Sequence, residues 1–215
     1  VMGYLVNQIG TLSQALSSNL FLEDQLNERL GDIEQKLIEM QKLLRKKGIK
    51  KELSIGGEFI PADRLSSSYF DILEKDIDKL MDTIKTVPIG KPLSGKINSG
   101  FGYRKDPINS RLAFHSGVDI DAYWGQPVIV TADGIVRHAG WYKGYGKTVI
   151  VEHKNGYETL YGHLSSLNVK EGQYVKSGDV IGFAGSTGRS TGPHLHYEIL
   201  KNNQNVDPAR YLSLR

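Results

Sequence analysis

Three short runs of this chain hold residues whose types and spacing could do chemistry. Near the C-terminal end, Pro193-His194-Leu195-His196 sets two imidazoles two positions apart, so that on an extended strand both project from one face. Upstream stand His163, in Tyr161-Gly162-His163-Leu164, and the pair His115 and Asp119, in His115-Ser116-Gly117-Val118-Asp119. Imidazole nitrogens beside a carboxylate suit a zinc-activated water. A catalytic zinc takes three protein ligands, keeps one position open, and lowers the pKa of its water to about 7. His115, Asp119 and His196 can supply such a set. Amide hydrolysis also needs one group to take the water's proton and another to steady the oxyanion or protonate the leaving amine; His163 and His194 can do both if they flank the metal. Glu198 shares a strand face with His194 and His196, where it either fixes an imidazole from behind or serves as a paired strand-edge charge.

The elements that must position these groups fall into two textures. With 215 residues, 39% hydrophobic and 24% charged, the chain can bury a real core, as one large domain or one domain with an appendage. Its net charge of +3 is too mild and too evenly spread for nucleic-acid binding, though it suits an anionic polymer such as a cell wall. Cysteine is absent, which excludes disulfides and a thiolate zinc cage and leaves any metal to His and carboxylate ligands. There is no run of some 18 apolar residues and no signal-peptide pattern. Because the chain opens on Val1, it is expected to be a fragment of a protein with an upstream membrane anchor.

Residues 1–90 read as helical. Met2, Leu5, Ile9, Leu12 and Leu16, then Leu26, Leu30, Ile33, Leu37, Met40 and Leu44 share one heptad register, with Asn19 and Glu23 at its seam. Gly48 among Lys46, Lys47 and Lys50 reads as a C-terminal stop. A connector spans 49–67 and includes Gly56-Gly57 and Pro61. A second helix is expected from near Ser68, with Asp71 completing a capping pattern, through Phe70, Leu73, Ile77, Leu80, Ile84 and Val87 to its end before Pro88. The two helices would pack as an antiparallel hairpin or build a coiled coil with a second copy or a helical partner through residues 1–47.

From Pro92 the texture becomes that of an antiparallel β domain, residues 91–201, with a polar tail at 202–215 in which Asp207-Pro208 starts a short turn or helix. The expected strands are 127–131, 134–139, 147–153, 158–164, 174–175, 180–184 and 194–200, separated by turn signals of which Asn155-Gly156 is the strongest. The fold class is therefore α+β: a mainly antiparallel catalytic sheet preceded by long helices.

Taken together, Ser99-Gly100-Phe101-Gly102-Tyr103-Arg104, His115-x-x-x-Asp119, Gly125-Gln126-Pro127-Val128, Tyr161-Gly162-His163-Leu164, Gly185-Ser186-Thr187-Gly188 and His194-Leu195-His196 closely resemble the lysostaphin-type (LytM) zinc endopeptidases of bacterial cell walls, peptidase family M23. The resemblance covers about residues 92–200. It implies that His115, Asp119 and His196 hold zinc, that His163 and His194 are the catalytic pair, and that the substrate is a peptide of peptidoglycan bound in a groove walled by loops. All five positions are intact. Tyr103, Ser190 and Thr191 are expected to touch substrate, whereas His138 and His153 read as surface or strand-end histidines.

The expected function is a zinc metalloendopeptidase cutting peptidoglycan cross-links, with the D-alanyl bond favoured over a glycine bridge, working in the periplasm or cell envelope and anchored at the inner membrane. The rival expectation is a scaffold or activator of another wall hydrolase, or a latent enzyme whose groove is closed by Glu58 or Asp63 from the connector. Removing residues 1–90 separates the two: a jump in hydrolysis supports latency, and unchanged hydrolysis removes it.

Overall fold

Alternation of apolar and polar side chains along β-strands builds the C-terminal two-thirds of the molecule in this computed structural model, which describes residues 24–45, 47, 67–105 and 110–212. These residues divide into two units: 24–39 with 67–79, and 40–45, 47 and the remainder from 80 onward. The Ser68 side chain, Asn19, Glu23, Glu58 and Asp63 lie outside the described residues or side chains.

In the first unit, helix α1 (residues 24–45) lies against α2 (Ser67–Thr86). The Arg29 guanidinium donates to Asp71 (2.6 Å) and Glu74 (2.8 Å) and sits 5.3 Å above the Phe70 ring, while Lys36 reaches Asp78 at 2.7 Å. Partners advance along α2 as they advance along α1, so the helices run parallel, not as the antiparallel hairpin that their apolar pattern also allowed. A parallel pair needs a connection long enough to return across it, and the stretch between Arg45 and Ser67 is long enough. Ile33, Phe70 and Ile77 are buried here, while Leu30, assigned to the seam, is 43% exposed.

The second unit is a ten-stranded sheet. Its main path is β1 (Ile97–Ser99), β4 (Val118–Asp121), β11 (His194–Lys201), β8 (Tyr157–Leu167), β7 (Lys147–His153), β6 (Gly134–Trp141) and β9 (Tyr174–Val175). Off this path, β10 (Val180–Ala184) pairs with β5 (Pro127–Ile129) and β8, and β12 (Gln204–Val206) pairs with β11. A separate hairpin joins β2 (Gly102–Lys105) to β3 (Leu112–His115). Every pairing is antiparallel. The Asn-Gly cue is realised: between β7 and β8, Asn155 (φ 59°) and Gly156 (φ 69°) both take left-handed backbone. Leu195, Tyr197 and Ile199 of β11 join Val118, Ile120, Val149, Val151 and Tyr161 in the core, which leaves His194, His196 and Glu198 on the opposite face.

Two regions depart from expectation. The segment after residue 201 is no loose tail, because β12 extends the sheet before Asp207 caps the turn Pro208–Arg210. Lys47, read as a cation at a helix stop, is buried at 2% exposure, its ammonium donating to the Thr131 carbonyl at 2.6 Å; burial lowers its pKa to about 7. A cut at residue 90 would therefore also remove a buried contact of the sheet unit, so the truncation tests more than latency.

His153 ends β7, as a strand-end reading has it, but it is buried and not on the surface. Its Nδ1–H donates to the Asp133 carbonyl (2.9 Å), and its Nε2 lies 2.7 Å from the Thr159 hydroxyl. Burial pulls its pKa down to about 4 from the usual 6.5. A depressed folded-state pKa contributes stability that is present above pH 6.5 and lost as the pH falls through 4, here about 3 kcal/mol. Urea unfolding in chelator between pH 7.5 and 4 should show this loss, and His153→Gln should flatten the slope. Equal slopes for the two proteins would exclude His153 as the cause.

Candidate metal centre

Strand register assembles the site. Tyr197 and Leu195 are pinned in the core, so His196 faces the other way, opposite Asp119 of β4 on one side and Gly162 of β8 on the other. The β2–β3 hairpin brings His115 opposite Gly102, and Gly117 lets the chain pass so close to β11 that a Cβ there would collide with the Tyr197 carbonyl. At Gly162-His163 the strand bends, with His163 at φ 61°, a left-handed conformation that costs a non-glycine residue energy and that turns its ring toward the site.

The structure brings His115, Asp119 and His196 together. His115 Nε2 lies 3.1 Å from both Asp119 Oδ1 and His196 Nδ1, and His196 Nδ1 lies 2.9 Å from Asp119 Oδ1. Each ring is tied by its other nitrogen: His115 Nδ1 donates to the Gly100 carbonyl (2.7 Å) and His196 Nε2 to Glu198 Oε1 (2.9 Å). Those bonds set the tautomers, so three lone-pair-bearing atoms face one another. Such a triangle repels itself unless a cation or proton fills it. Without a metal, the pKa of His196 is raised: burial opposes its charge, but Asp119 and Glu198 outweigh burial. In that metal-free state, where a proton fills the triangle, Asp119 is held well below the usual carboxylate range, hydrogen bonds with His115 and His196 overcoming its burial. Three nitrogen and oxygen ligands around zinc stand about 3.3 Å apart, from bonds of about 2.0–2.1 Å at tetrahedral angles. The observed triangle is slightly contracted from that size, and the donor set fits a zinc ion.

Beside this cluster His194 Nε2 lies 3.8 Å from Asp119 Oδ1, and the His163 and His194 rings are 4.8 Å apart. His163 donates through Nδ1 to the Thr187 carbonyl (2.8 Å) and His194 through Nδ1 to the Gly192 carbonyl (2.8 Å). Burial pulls the His163 pKa down to about 4. All five histidine and carboxylate side chains line one cavity of about 300 Å³, with Ser190, Thr191, Ser116, Phe114, Arg104 and Arg189 among its other walls. Tyr103 lies outside that lining, 78% exposed and edge-on to Phe114 at 5.2 Å between ring centres.

Glu198 stands where an orienting carboxylate would. Besides His196 it accepts from the Ser116 hydroxyl, the Tyr145 hydroxyl (2.8 Å) and the Asn205 amide (2.9 Å). Burial alone would raise its pKa, but the His196 and Ser116 hydrogen bonds win and hold it at about 2. The cluster around it contains three residues with no assignment from sequence: Ser116, Tyr145 and Asn205. Ser116 sits inside the His-x-x-x-Asp run and was legible there; Tyr145 and Asn205 arrive only through folding. Arg104, inside a recognised motif but without a role, donates to Asp119 Oδ2 at 3.1 Å.

Residues 113–208 match the profile of peptidase family M23. Among curated proteins, the chain is 52% identical over 114 residues to the DD-carboxypeptidase/endopeptidase Mpg of Neisseria meningitidis, covering 53% of this chain and 26% of that protein. It is 32% identical over 212 residues to the peptidoglycan DD-endopeptidase ShyC of Vibrio cholerae, covering 96% of this chain and 48% of that one. Among solved structures, the catalytic domain of the antimicrobial peptidase lysostaphin from Staphylococcus simulans superposes with a TM-score of 0.50 at 38% identity, over 55% of this chain and 92% of that one. A zinc-containing peptidase from Vibrio cholerae gives 0.53 at 40%, over 58% and 39%. The fold and the site thus define a metallopeptidase-type domain of the lysostaphin kind. The chain belongs to peptidase family M23. It spans less than half the length of these two curated relatives.

Two substitutions test the cluster. Asp119→Ala should leave the purified chain without stoichiometric zinc by elemental analysis; full occupancy would remove Asp119 from the ligand set. Glu198→Ala should keep zinc but weaken it about 10–100-fold in a chelator competition, as loss of a ligand's orienting partner does. Unchanged affinity would leave Glu198 with no hold on His196.

Proposed function

We propose that this chain is a zinc metalloendopeptidase that hydrolyses peptide cross-links of bacterial peptidoglycan at the D-alanyl bond and acts outside the cytoplasm. The observation that carries this reading is the lone-pair triangle of His115, Asp119 and His196 with two further imidazoles opening on the same cavity. The names of the two curated relatives support a D,D bond, and the second also supports peptidoglycan as substrate. No helix among the described residues is long and apolar enough to cross a membrane.

When bound, zinc supplies Lewis-acid polarisation and a water of lowered pKa. The chain's own residues do the rest. Both His163 and His194 have Nδ1–H committed to a backbone carbonyl, so each presents Nε2 to the cavity. A neutral ring held this way accepts a proton at Nε2 and, once charged, donates it to an oxyanion or a leaving amine. His163, kept neutral by burial, is the acceptor of the water's proton; His194, on the wall beside Asp119, faces the developing oxyanion. The short carbonyl anchors fix both rings before substrate arrives, which lowers the reorganisation needed in the transition state.

Intact peptidoglycan incubated with the zinc-loaded chain should release peptides whose masses place the cut at a D-alanyl bond. His194→Ala should keep its zinc and lose about 10²–10⁴-fold in turnover. Absence of release by a fully metallated wild-type chain would overturn the peptidase reading, and equal loss of zinc in His194→Ala would overturn the role of that residue.

A further inference from the structure

His163 stands at a break in the sheet. Toward β7, strand β8 pairs as Tyr161 with Val149 and then as Leu164 with Lys147, so that Gly162 and His163 together face Thr148 alone. Two residues against one make a β-bulge, a device that re-aims a side chain and interrupts the ladder. On its other side β8 changes neighbour at the same point: Gly162 lies opposite His196 of β11, and Leu164 opposite Ala184 of β10. His163 is therefore left without a ladder partner on either side, in left-handed backbone at φ 61°. A bulged residue in that conformation keeps its geometry only where the surrounding structure over-determines it.

The restraint comes from the loop between β10 and β11, at the centre of the Gly185-Ser186-Thr187-Gly188 run. The Thr187 hydroxyl accepts from the Lys147 N–H (2.9 Å) and donates to the Leu164 carbonyl (2.8 Å), while the Thr187 carbonyl accepts from His163 Nδ1–H (2.8 Å). Lys147 and Leu164 are the first pair beyond the bulge, so the hydroxyl stitches the two strands together next to the residue that has left the ladder. One side chain and its own backbone thereby grip both the break and the ring that projects from it. Thr187 is itself wedged in place. The chain passes so near Gly146 that a Cβ there would stand 2.5 Å from the Thr187 carbonyl oxygen. The Gly146 carbonyl in turn accepts from the Tyr142 N–H (2.8 Å) and from the hydroxyl of Thr148 (3.1 Å), the residue that faces the bulge.

We propose that Thr187 is the positioning residue of His163: its hydroxyl fixes the bulge and its carbonyl fixes the ring, so that Nε2 is aimed into the cavity before substrate arrives. This rests on the peptidase reading for its effect on turnover but not for its geometry. Valine has nearly the shape of threonine without the hydroxyl, so Thr187→Val leaves the Lys147 N–H and the Leu164 carbonyl without this partner and releases the bulge. Serine retains the hydroxyl and so retains the stitch.

The test compares the zinc-loaded full chain with its Thr187→Val and Thr187→Ser variants, by cleavage of a soluble cross-linked peptide, by zinc content and by the nitrogen NMR shifts of the His163 ring, which distinguish a proton on Nδ1 from one on Nε2. Thr187→Val should lose about 10–100-fold in kcat at unchanged KM and zinc content, because a misaimed imidazole touches neither the ligands nor ground-state binding. Its His163 ring, carrying the proton on Nδ1 in the wild type, should become a mixture of tautomers. Thr187→Ser should recover most of the turnover and the single tautomer. A Thr187→Val chain with wild-type kcat and an unmixed His163 ring would overturn the inference, and so would a wild type whose His163 carries its proton on Nε2. If valine prevents folding, the serine variant decides: loss of kcat or of the Nδ1–H tautomer there removes the role of the hydroxyl, and retention of both sustains it. A zinc-loaded wild type that cuts nothing removes the peptidase reading, and the ring shifts then judge Thr187 by themselves.

Discussion

Mutual repulsion among three electron-rich atoms is the constraint on which the site depends. His115 Nε2, His196 Nδ1 and Asp119 Oδ1 are held within 3.1 Å of one another, with the outer ring nitrogens tied to the Gly100 carbonyl and Glu198, so that only a proton or a cation between the three relieves the crowding. The sheet imposes this. β11 cannot slip against β4 without taking Leu195, Tyr197 and Ile199 out of the core, and a one-residue slip would also carry His196 to the wrong face. Apolar burial of about 1.5–3 kcal/mol per large side chain therefore secures a polar arrangement that would not persist by itself.

Around that triangle the molecule spends polar interactions in layers. Gly100 and Glu198 orient the inner imidazoles, and Thr187 and Gly192 orient the outer two. Beneath the sheet's other face runs a buried chain of hydroxyls: Thr131 bonds Tyr161 (3.1 Å) and Tyr197 (2.8 Å), and Thr159 joins Tyr161 to His153. Tyr161 and Tyr197 each stand within two residues of a site histidine. The network thus fixes the two strands from below while the His115–Asp119–His196 cluster fixes them from above. Lys47 enters the same network through the Thr131 carbonyl, which makes this one residue past α1 part of the sheet unit's interior.

Much of this was legible in the sequence, and what was missed has physical causes. The clustered histidines could be read because strand periodicity and residue type both speak: two histidines at a spacing of two share a face once the segment is a strand. Strands β7, β9 and β10 fall at the residues that their alternation marks. By contrast β1, β2, β3 and β12 are only three or four residues long and mostly exposed, so periodicity has too little length to act on. Helix direction was beyond reach, since an apolar heptad stripe fits a partner running either way; the ion pairs of Arg29 and Lys36 decide it, and those depend on which acid lies opposite. Lys47 misled because lysine is so rarely buried that a solvated helix end is the natural expectation. Tyr145 and Asn205 were invisible for another reason: nothing local marks a hydroxyl as the neighbour of a carboxylate 53 positions away, or an amide as the neighbour of one seven positions back across an unforeseen hairpin.

The placement of Asn205 bears on when the site comes into being. Its amide donates to both the Ser116 carbonyl (3.0 Å) and Glu198 Oε2 (2.9 Å), closing from β12 a circle that begins at the Gly100 carbonyl. A chain leaving the ribosome in order thus makes His115, the first member of the cluster, early and the last support for the cluster only after residue 205 has emerged. Until then the β11 strand lacks its β12 neighbour and Glu198 lacks the Asn205 amide. The cluster is in this way kept chemically incomplete until residue 205 has emerged, by topology alone.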